Sequence, residues 1–241
     1  MNLLILAVTV LLFTYTHASY AFDLNDVIKE TEKLGKRDNG VDEKTKVSGL
    51  KEALSVGTEK AVKQVSQVNG YFENQAIKIP LPDEIKNVMD ALVRIGFKKQ
   101  VDEFVLSMNR GAEKAAPQAA SIFVNAVKAM TIADAGKILL GDDTAATEYF
   151  KTKTHDDIYK AFKPVISASL DSVGATKAYK SLMDKAKSVP FLERSTVDLD
   201  HYVANKAIDG LFYMVGQEEK KIRIDPAARG TELLRTVFGA K

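Results

Sequence analysis

Apolar residues recur at intervals of three and four along nearly all of the chain after about residue 42, which is the periodicity of amphipathic helices. Between residues 97 and 116 the apolar positions fall on one helical face, and Pro117 then interrupts and restarts the pattern. Alternating patterns typical of strands are scarce. The sequence therefore predicts an all-α protein, a single irregular multi-helix bundle of roughly eight to ten helices with one short extended arm.

Capping residues predict where some of these helices begin. Thr131 and Thr154 each precede an aspartate by three positions, which is the spacing of a capping pair. Asp225 stands directly before a proline, the order in which a capping residue precedes the first helical residue. We therefore expect helices to start after Thr131, Thr154 and Asp225.

The segment from about residue 200 to residue 215 carries apolar side chains almost all round, which is typical of a buried central helix. Gly210 and Gly216 lack side chains there and would allow neighbouring elements to approach closely. Asp209 is out of place in this run, because an ionised carboxylate buried there needs a cation or hydrogen-bond donors. The charged run at residues 218–225 mixes both signs and predicts a solvated helix end.

One stretch, residues 76–82, does not fit a helix. Ile77, Ile79 and Leu81 alternate there with a lysine and a proline, which predicts an extended arm or an edge strand. We expect this arm to lie against the central helix, and any strand pairing to involve a second non-helical stretch at residues 189–198.

The first 21 residues contain no charged side chain, and their apolar run, residues 3–13, is too short to span a bilayer. Ser19 and Ala21 have the spacing that a signal peptidase recognises, which predicts that residues 1–21 are a signal peptide. An uncleaved membrane anchor is the alternative. We expect the mature protein to be exported and soluble in the periplasm, without a transmembrane segment.

The remainder of the chain is expected to divide into two parts. Residues 22–47 are charged and contain two glycines, which predicts a short helix followed by a linker. Residues 48–241 are expected to form one helical domain, because a chain of this length can bury a sizeable core. The 34 basic and 32 acidic residues give a net charge of +2, so nothing in the charge indicates nucleic-acid binding.

Few residues are suited to metal or cofactor binding. The chain has no cysteine, which excludes disulfides, thiolate ligands and a lipid-modified cysteine. His155 and His201 are the histidines that remain after signal cleavage, and both are expected at exposed helix starts. Asp142 and Asp143 resemble part of a calcium loop but lack its other ligands, so we interpret them as helix caps. We expect no metal and no cofactor.

Three blocks of sequence resemble those of a known family. They are LKEALSVGTEKAV at residues 50–62, FVLSMNRGAEKAAP and DDTAATEYF within residues 77–154, and AIDGLFYMV and DPAARGTELLRTVFG within residues 202–239. Through these blocks the chain resembles, from about Gly49 to Gly239, the bacterial envelope family known as domain of unknown function 4197. The resemblance implies a helical exported protein and no catalytic residue. Gly111 departs from the family pattern, in which alanine is typical, and slightly loosens a helix.

The same family-like stretch contains a candidate polar network. Asp102, Asn109 and Glu113 lie at offsets of seven and four, which places them on one narrow stripe of a helix. Arg110 lies beside this stripe and is a candidate partner for Asp209 or Glu113. The alternative is a solvated face opposite the apolar stripe.

Six apolar residues are candidates for a ligand pocket, with ordinary core packing as the alternative. They are Met108, Phe123, Met130, Phe150, Phe212 and Met214. Motifs of serine nucleophiles, phosphate loops and dinucleotide sites are absent, so we expect a non-enzymatic envelope protein that binds a partner or an apolar small molecule. The alternatives are a carboxylate-dependent periplasmic hydrolase using Asp209, Glu113 and Asp102, and a structural or chaperone-like helper.

Overall fold

The computed structural model describes residues 42–172, 175–187 and 197–225, and in these ranges the chain forms eight α-helices and no strand. The helices are α1 (Glu43–Val65), α2 (Asp83–Leu92), α3 (Lys98–Ala115), α4 (Ala119–Ala129), α5 (Ile132–Leu140), α6 (Ala145–Ser172), α7 (Ala175–Ala186) and α8 (Leu199–Ile224). The predicted all-α bundle is confirmed. A 3₁₀ turn, Ala116–Gln118, joins α3 to α4 where Pro117 interrupts the apolar pattern.

Some of the predictions concern residues outside these ranges. The signal peptide at residues 1–21 and most of the predicted linker lie there. So do most of the second non-helical stretch around Pro190 and the helix start expected at Pro226. These points stay predictions.

Helix α8 forms the centre of the bundle, where it packs against α1, α3 and α6. Ala207, Ile208 and Leu211 are completely enclosed, in agreement with the apolar circumference of this segment. The Asp198 carboxylate caps the helix by accepting a hydrogen bond from the His201 amide at 3.0 Å. The helix also extends beyond residue 215, through the charged run that was predicted to be a solvated end.

The first described helix begins earlier than the predicted domain boundary at residue 48. Asp42 accepts a hydrogen bond from the Thr45 amide at 2.6 Å and caps α1, which starts at Glu43. The hydrogen bonds from Thr45 lower the pKa of the Asp42 carboxyl. Residues 43–47 therefore form the first turn of α1, which continues without a break to Val65.

The two helix starts predicted at threonines both fall on described residues, and only one of them is correct. Thr131 and Asp134 form a capping box, with amide-to-side-chain hydrogen bonds of 3.1 Å in both directions. The start predicted at Thr154 is wrong, because Thr154 lies inside α6 and donates its hydroxyl to the Phe150 carbonyl at 2.7 Å. That bond satisfies a buried hydroxyl within the helix, so the threonine does not require a helix terminus.

The extended arm lies against α8, as predicted. Ile77 packs over Gly210, where an added Cβ would come within 3.1 Å of the Ile77 Cβ and 2.7 Å of the Tyr71 ring. From α8, Tyr202 donates its hydroxyl to the Pro80 carbonyl at 3.1 Å. Gly210 therefore permits the close approach of the arm, and the arm is irregular rather than an edge strand.

Candidate functional site

Asn109 of α3 holds the arm through its side-chain amide. Its Oδ1 accepts a hydrogen bond from the Ile79 amide at 2.9 Å, and its Nδ2 donates to the Ile79 carbonyl at the same distance. The Nδ2 also donates to the Val105 carbonyl at 2.8 Å. Asn109 is completely buried, so this pairing replaces the contacts that the arm backbone would otherwise make with water.

Glu113, one turn further along α3, binds the segment that leads into the arm. Its Oε1 accepts hydrogen bonds from the amides of Tyr71 and Phe72 at 3.2 and 3.3 Å. Its Oε2 accepts from Arg110 Nη1 at 2.5 Å, and Arg110 Nη2 donates to Asn69 Oδ1 at 2.6 Å. Both carboxylate oxygens of this buried residue are therefore occupied by donors.

Tyr71 connects this network to the central helix. Its hydroxyl donates to the Ala207 carbonyl at 2.6 Å, and the side chain is completely enclosed. Burial, together with the charge of Glu113, raises the pKa of the Tyr71 phenol far above its ordinary range. Tyr71 therefore acts as a neutral hydrogen-bond donor that fixes the irregular segment to α8.

The other two polar candidates do not join the network. Asp102 is exposed and pairs with Lys98 on its own helix. Asp209 is exposed on α8, which corrects the expectation that it is a buried carboxylate in need of a partner. The reason is that α8 has a narrow solvent-facing side, on which Lys206 and Tyr213 also lie. Arg110 pairs with Glu113 and not with Asp209.

A second buried glutamate cluster lies in the run that was predicted to be solvent-exposed. Glu219 Oε1 accepts from the Ala146 amide at 2.9 Å, and its Oε2 accepts from the Thr147 amide and hydroxyl at 2.8 and 2.7 Å. Arg223 donates to the same carboxylate at 2.8 Å and to the Ile138 carbonyl at 2.9 Å. Glu219 therefore caps α6 from another helix. The four-residue spacing between Glu219 and Arg223 is the sequence feature that could have predicted this ion pair.

The six apolar pocket candidates are all buried in the hydrophobic core. The Phe123 ring lies edge-on to Phe150, with centroids 5.3 Å apart, and edge-on to Phe212 at 6.0 Å. Such contacts are typical of close core packing. The structure therefore places these residues in the core, which was the alternative to a pocket lining.

A concave surface of different composition lies between α4 and α6. This α4–α6 groove has a volume of about 370 Å³, and its lining consists of Ile122, Asn125, Ala126, Ala129, Thr131, Asp134, Tyr149, Lys153, Thr154 and Asp157. The lining contains aliphatic and aromatic side chains together with charged groups of both signs. A groove of this size can hold a small molecule or a short polypeptide segment.

Two ionisable groups of the groove are perturbed by their surroundings. The Thr131 hydroxyl and amide donate to Asp134 and lower the pKa of its carboxyl, so this rim residue stays ionised. Partial burial, with the charge of Asp134, raises the pKa of the Tyr149 phenol. Lys153 lies with its ammonium 6.0 Å from the centroid of the Tyr149 ring. The groove therefore presents a neutral phenol together with a carboxylate and an ammonium group.

The remaining candidates lie apart from these sites. His201 is exposed in the first turn of α8, as expected, and contacts the Tyr159 hydroxyl at 2.8 Å. His155 lies within α6 instead of at a helix start, because α6 begins at Ala145. Asp142 accepts hydrogen bonds from the Thr144 amide and hydroxyl just before α6. Among the described residues, no group of three or more potential metal ligands occurs, and no helix is long and apolar enough to cross a membrane.

A known protein family matches most of the chain. The family described as "Protein of unknown function (DUF4197)" matches residues 40–239, which include every described residue of the bundle from Asp42 onward. No curated protein and no solved structure matches the chain. The MNRGAEKAAP block of the sequence contains Asn109, Arg110 and Glu113, and the contacts above give each of these three residues an architectural role.

Proposed function

This chain belongs to the DUF4197 family, and we propose that it is an exported, non-enzymatic protein of the bacterial envelope that binds a polypeptide partner. The proposed binding site is the α4–α6 groove. One observation carries the proposal: the groove combines an apolar lining with charged groups of both signs on a concave surface. Interfaces that bind polypeptides commonly combine apolar and polar groups.

The contacts of the candidate carboxylates support a role without catalysis. A general acid or base must reach a proton on the substrate, whereas the Glu113 oxygens accept from two backbone amides and Arg110. Asp102 and Asp209 are exposed on different helices, outside the network of Glu113. The hydrolase alternative therefore receives no support from the three residues on which it depended.

The polarity of the groove favours a polypeptide over an apolar small molecule. An apolar ligand would remove water from Asp134 and Lys153 without offering hydrogen bonds in return. Burying a charged group without a new partner costs on the order of several kcal/mol. A polypeptide segment can place apolar side chains over Ile122 and Ala126 while its backbone and charged groups pair with the rim.

Site-specific photocrosslinking tests the groove. A benzophenone amino acid replaces Ala129, which is exposed in the groove, and in a control replaces Ala120 on the same helix. The control site lies on the opposite side of α4, because nine residues correspond to about half a turn beyond two full turns. We expect a discrete adduct in cells from residue 129 and none from residue 120. Equal labelling from both sites, or none from either, would contradict the proposal.

Export is tested separately by the mass of the purified protein. Cleavage after Ala21 should give an intact mass that corresponds to a chain starting at Phe22, recovered from the periplasmic fraction. Recovery of the uncleaved chain from membranes would favour the anchor, and recovery from the cytoplasm would refute export. Neither result affects the crosslinking comparison, so the two parts of the proposal can fail independently.

A further inference from the structure

The connection between α2 and α3 exposes an aliphatic side chain at a sharp turn. It consists of Val93–Phe97, in which Gly96 has a φ of 100°, a left-handed conformation that favours glycine. A Cβ at Gly96 would meet nothing within 4 Å. The preceding residue, Ile95, is 57% exposed. The turn therefore presents a branched apolar side chain beside open space.

Four cations lie close to this turn in the sequence or in space. Arg94, Lys98 and Lys99 are exposed within four residues of Ile95, and the Lys185 ammonium of α7 lies 4.2 Å from the centroid of the Phe97 ring, next to it. We call Ile95 with these four cations the basic tip. It belongs to neither the α4–α6 groove nor the network around Glu113.

The acidic residues near the basic tip offset its charge only in part. Lys98 pairs with Asp102, and Lys99 pairs with Glu103 at 3.8 Å. All four side chains are largely exposed, and ion pairs between exposed side chains contribute little interaction energy. Both acids lie one turn further along α3, away from Ile95. Asp90, one turn before Arg94, pairs with Lys86, and Asp184, next to Lys185, pairs with Lys187. Neither Arg94 nor Lys185 forms an ion pair with another described residue, so the tip keeps an excess of positive charge.

We infer that the basic tip docks on an anionic phospholipid surface, with Ile95 entering the boundary between headgroups and acyl chains and the four cations contacting lipid phosphates. Proteins attach to the surface of a bilayer without crossing it by combining apolar side chains with nearby Lys and Arg residues. An acidic protein would attract the same cations, but a single protruding aliphatic residue beside open space suits a fluid lipid boundary better than a fixed partner surface. The inference is independent of the proposed groove.

The absence of tryptophan from the chain allows a direct test. Ile95→Trp introduces a single tryptophan at the basic tip, which can be excited selectively over the tyrosines, and Leu140→Trp, at a position 91% exposed on α5, provides the matched control. With vesicles of phosphatidylglycerol and phosphatidylcholine, we expect the Ile95→Trp protein alone to show a blue-shifted emission that brominated lipids quench. Equal responses from the two variants, or no response to anionic vesicles, would overturn the inference.

Affinity measurements on the unlabelled protein test the cations. Sedimentation with the same vesicles should show binding that weakens about fivefold in Arg94→Gln, because a basic residue near an anionic surface contributes about that factor. Lys137→Gln, an exposed lysine on α5, is the control and should bind like the parent. Binding should also be lost in 1 M salt and with pure phosphatidylcholine. Binding to polyglutamate without binding to vesicles would refute the lipid surface and point to an acidic protein.

Discussion

Two buried glutamates of this bundle make the same kind of contact for different purposes. Glu113 and Glu219 each pair with an arginine of their own helix and each accept hydrogen bonds from two consecutive backbone amides elsewhere in the chain. Glu113 holds an irregular segment between helices, whereas Glu219 completes the first turn of a regular helix. In both places the carboxylate supplies acceptors to amides that have no helical partner.

The clusters around Glu113 and Glu219 differ in how easily water could replace the carboxylate as a hydrogen-bond acceptor. The donors to Glu219, in Ala146 and Thr147, are buried. At Glu113, the Phe72 amide is only partly buried, and the side chain of Arg110 is 28% exposed. A lost carboxylate can therefore be replaced by water more easily at Glu113. The comparison teaches that the cost of a buried charge depends on what its donors can find instead.

The largest effect is expected for Glu219→Ala. It removes the acceptor from three buried donors, two amides and the Thr147 hydroxyl, so the free energy of unfolding should fall by about 3–5 kcal/mol. Chemical denaturation measures the fall, and hydrogen exchange should quicken at Ala146 and Thr147. Glu219→Gln keeps one acceptor oxygen and should lose less. A loss equal in the two variants would show that the charge, and not the capping, is decisive.

A smaller fall of about 2 kcal/mol is expected for Glu113→Ala, since two amides lose their acceptor and Arg110 can turn to solvent. Hydrogen exchange should quicken at Tyr71 and Phe72 while the first turn of α6 keeps its protection. If Glu113→Ala proves as costly as Glu219→Ala, the distinction between the two clusters is wrong.

Two buried glycines allow a similar comparison, in which the two sites differ in the room available for a side chain. An alanine at Gly210 would place its Cβ 2.7 Å from the Tyr71 ring, so Gly210→Ala should cost about 1–3 kcal/mol. An alanine at Gly111 would lie at ordinary contact distance, 3.8 Å, from Leu170. Gly111→Ala should therefore raise the free energy of unfolding by up to about 1 kcal/mol through helix propensity. Thermal unfolding of both variants checks the opposite signs, and a stabilising Gly210→Ala would mean that the arm is less tightly packed.

The smallest effect is expected at Asp134, the partly buried counterpart of the two glutamates. Because its pKa is lowered in the folded state by Thr131, its contribution to stability is present above the unfolded pKa of about 3.9 and is lost as the pH falls through the lower folded value. Asp134→Asn should therefore have a lower Tm than the parent at neutral pH, and the two should converge on acidification below about pH 4. A difference in Tm that does not change with pH would show that ionisation of Asp134 is not involved.

Periodicity was sufficient to predict the all-α class, the central helix and the arm, because these depend on which faces are apolar. The sequence also showed that Asn109 and Glu113 lie on one stripe of a helix. It did not show what that stripe faces, because a polar stripe can face either solvent or a backbone segment that is distant in sequence. The prediction that Asp209 is buried was wrong for a related reason. When a helix carries apolar residues almost all round, its sequence does not reveal which narrow side is exposed to solvent. Thr154 resembled a helix cap because a threonine three residues before an aspartate can have either of two roles. It can cap a helix, or it can lie inside a helix with its hydroxyl bonded to a backbone carbonyl.

The capping of α6 by Glu219 also constrains the order in which the chain can fold. The donor amides and the acceptor carboxylate are 73 and 72 residues apart in sequence. During synthesis, the start of α6 must therefore remain frayed until α8 has emerged and docked, because the missing acceptor lies on a helix that is made later. Contacts over such separations slow folding relative to local ones. We conclude that α8, the last helix among the described residues, must dock before α6 is capped, and that a nascent chain truncated before residue 219 contains α6 without its cap.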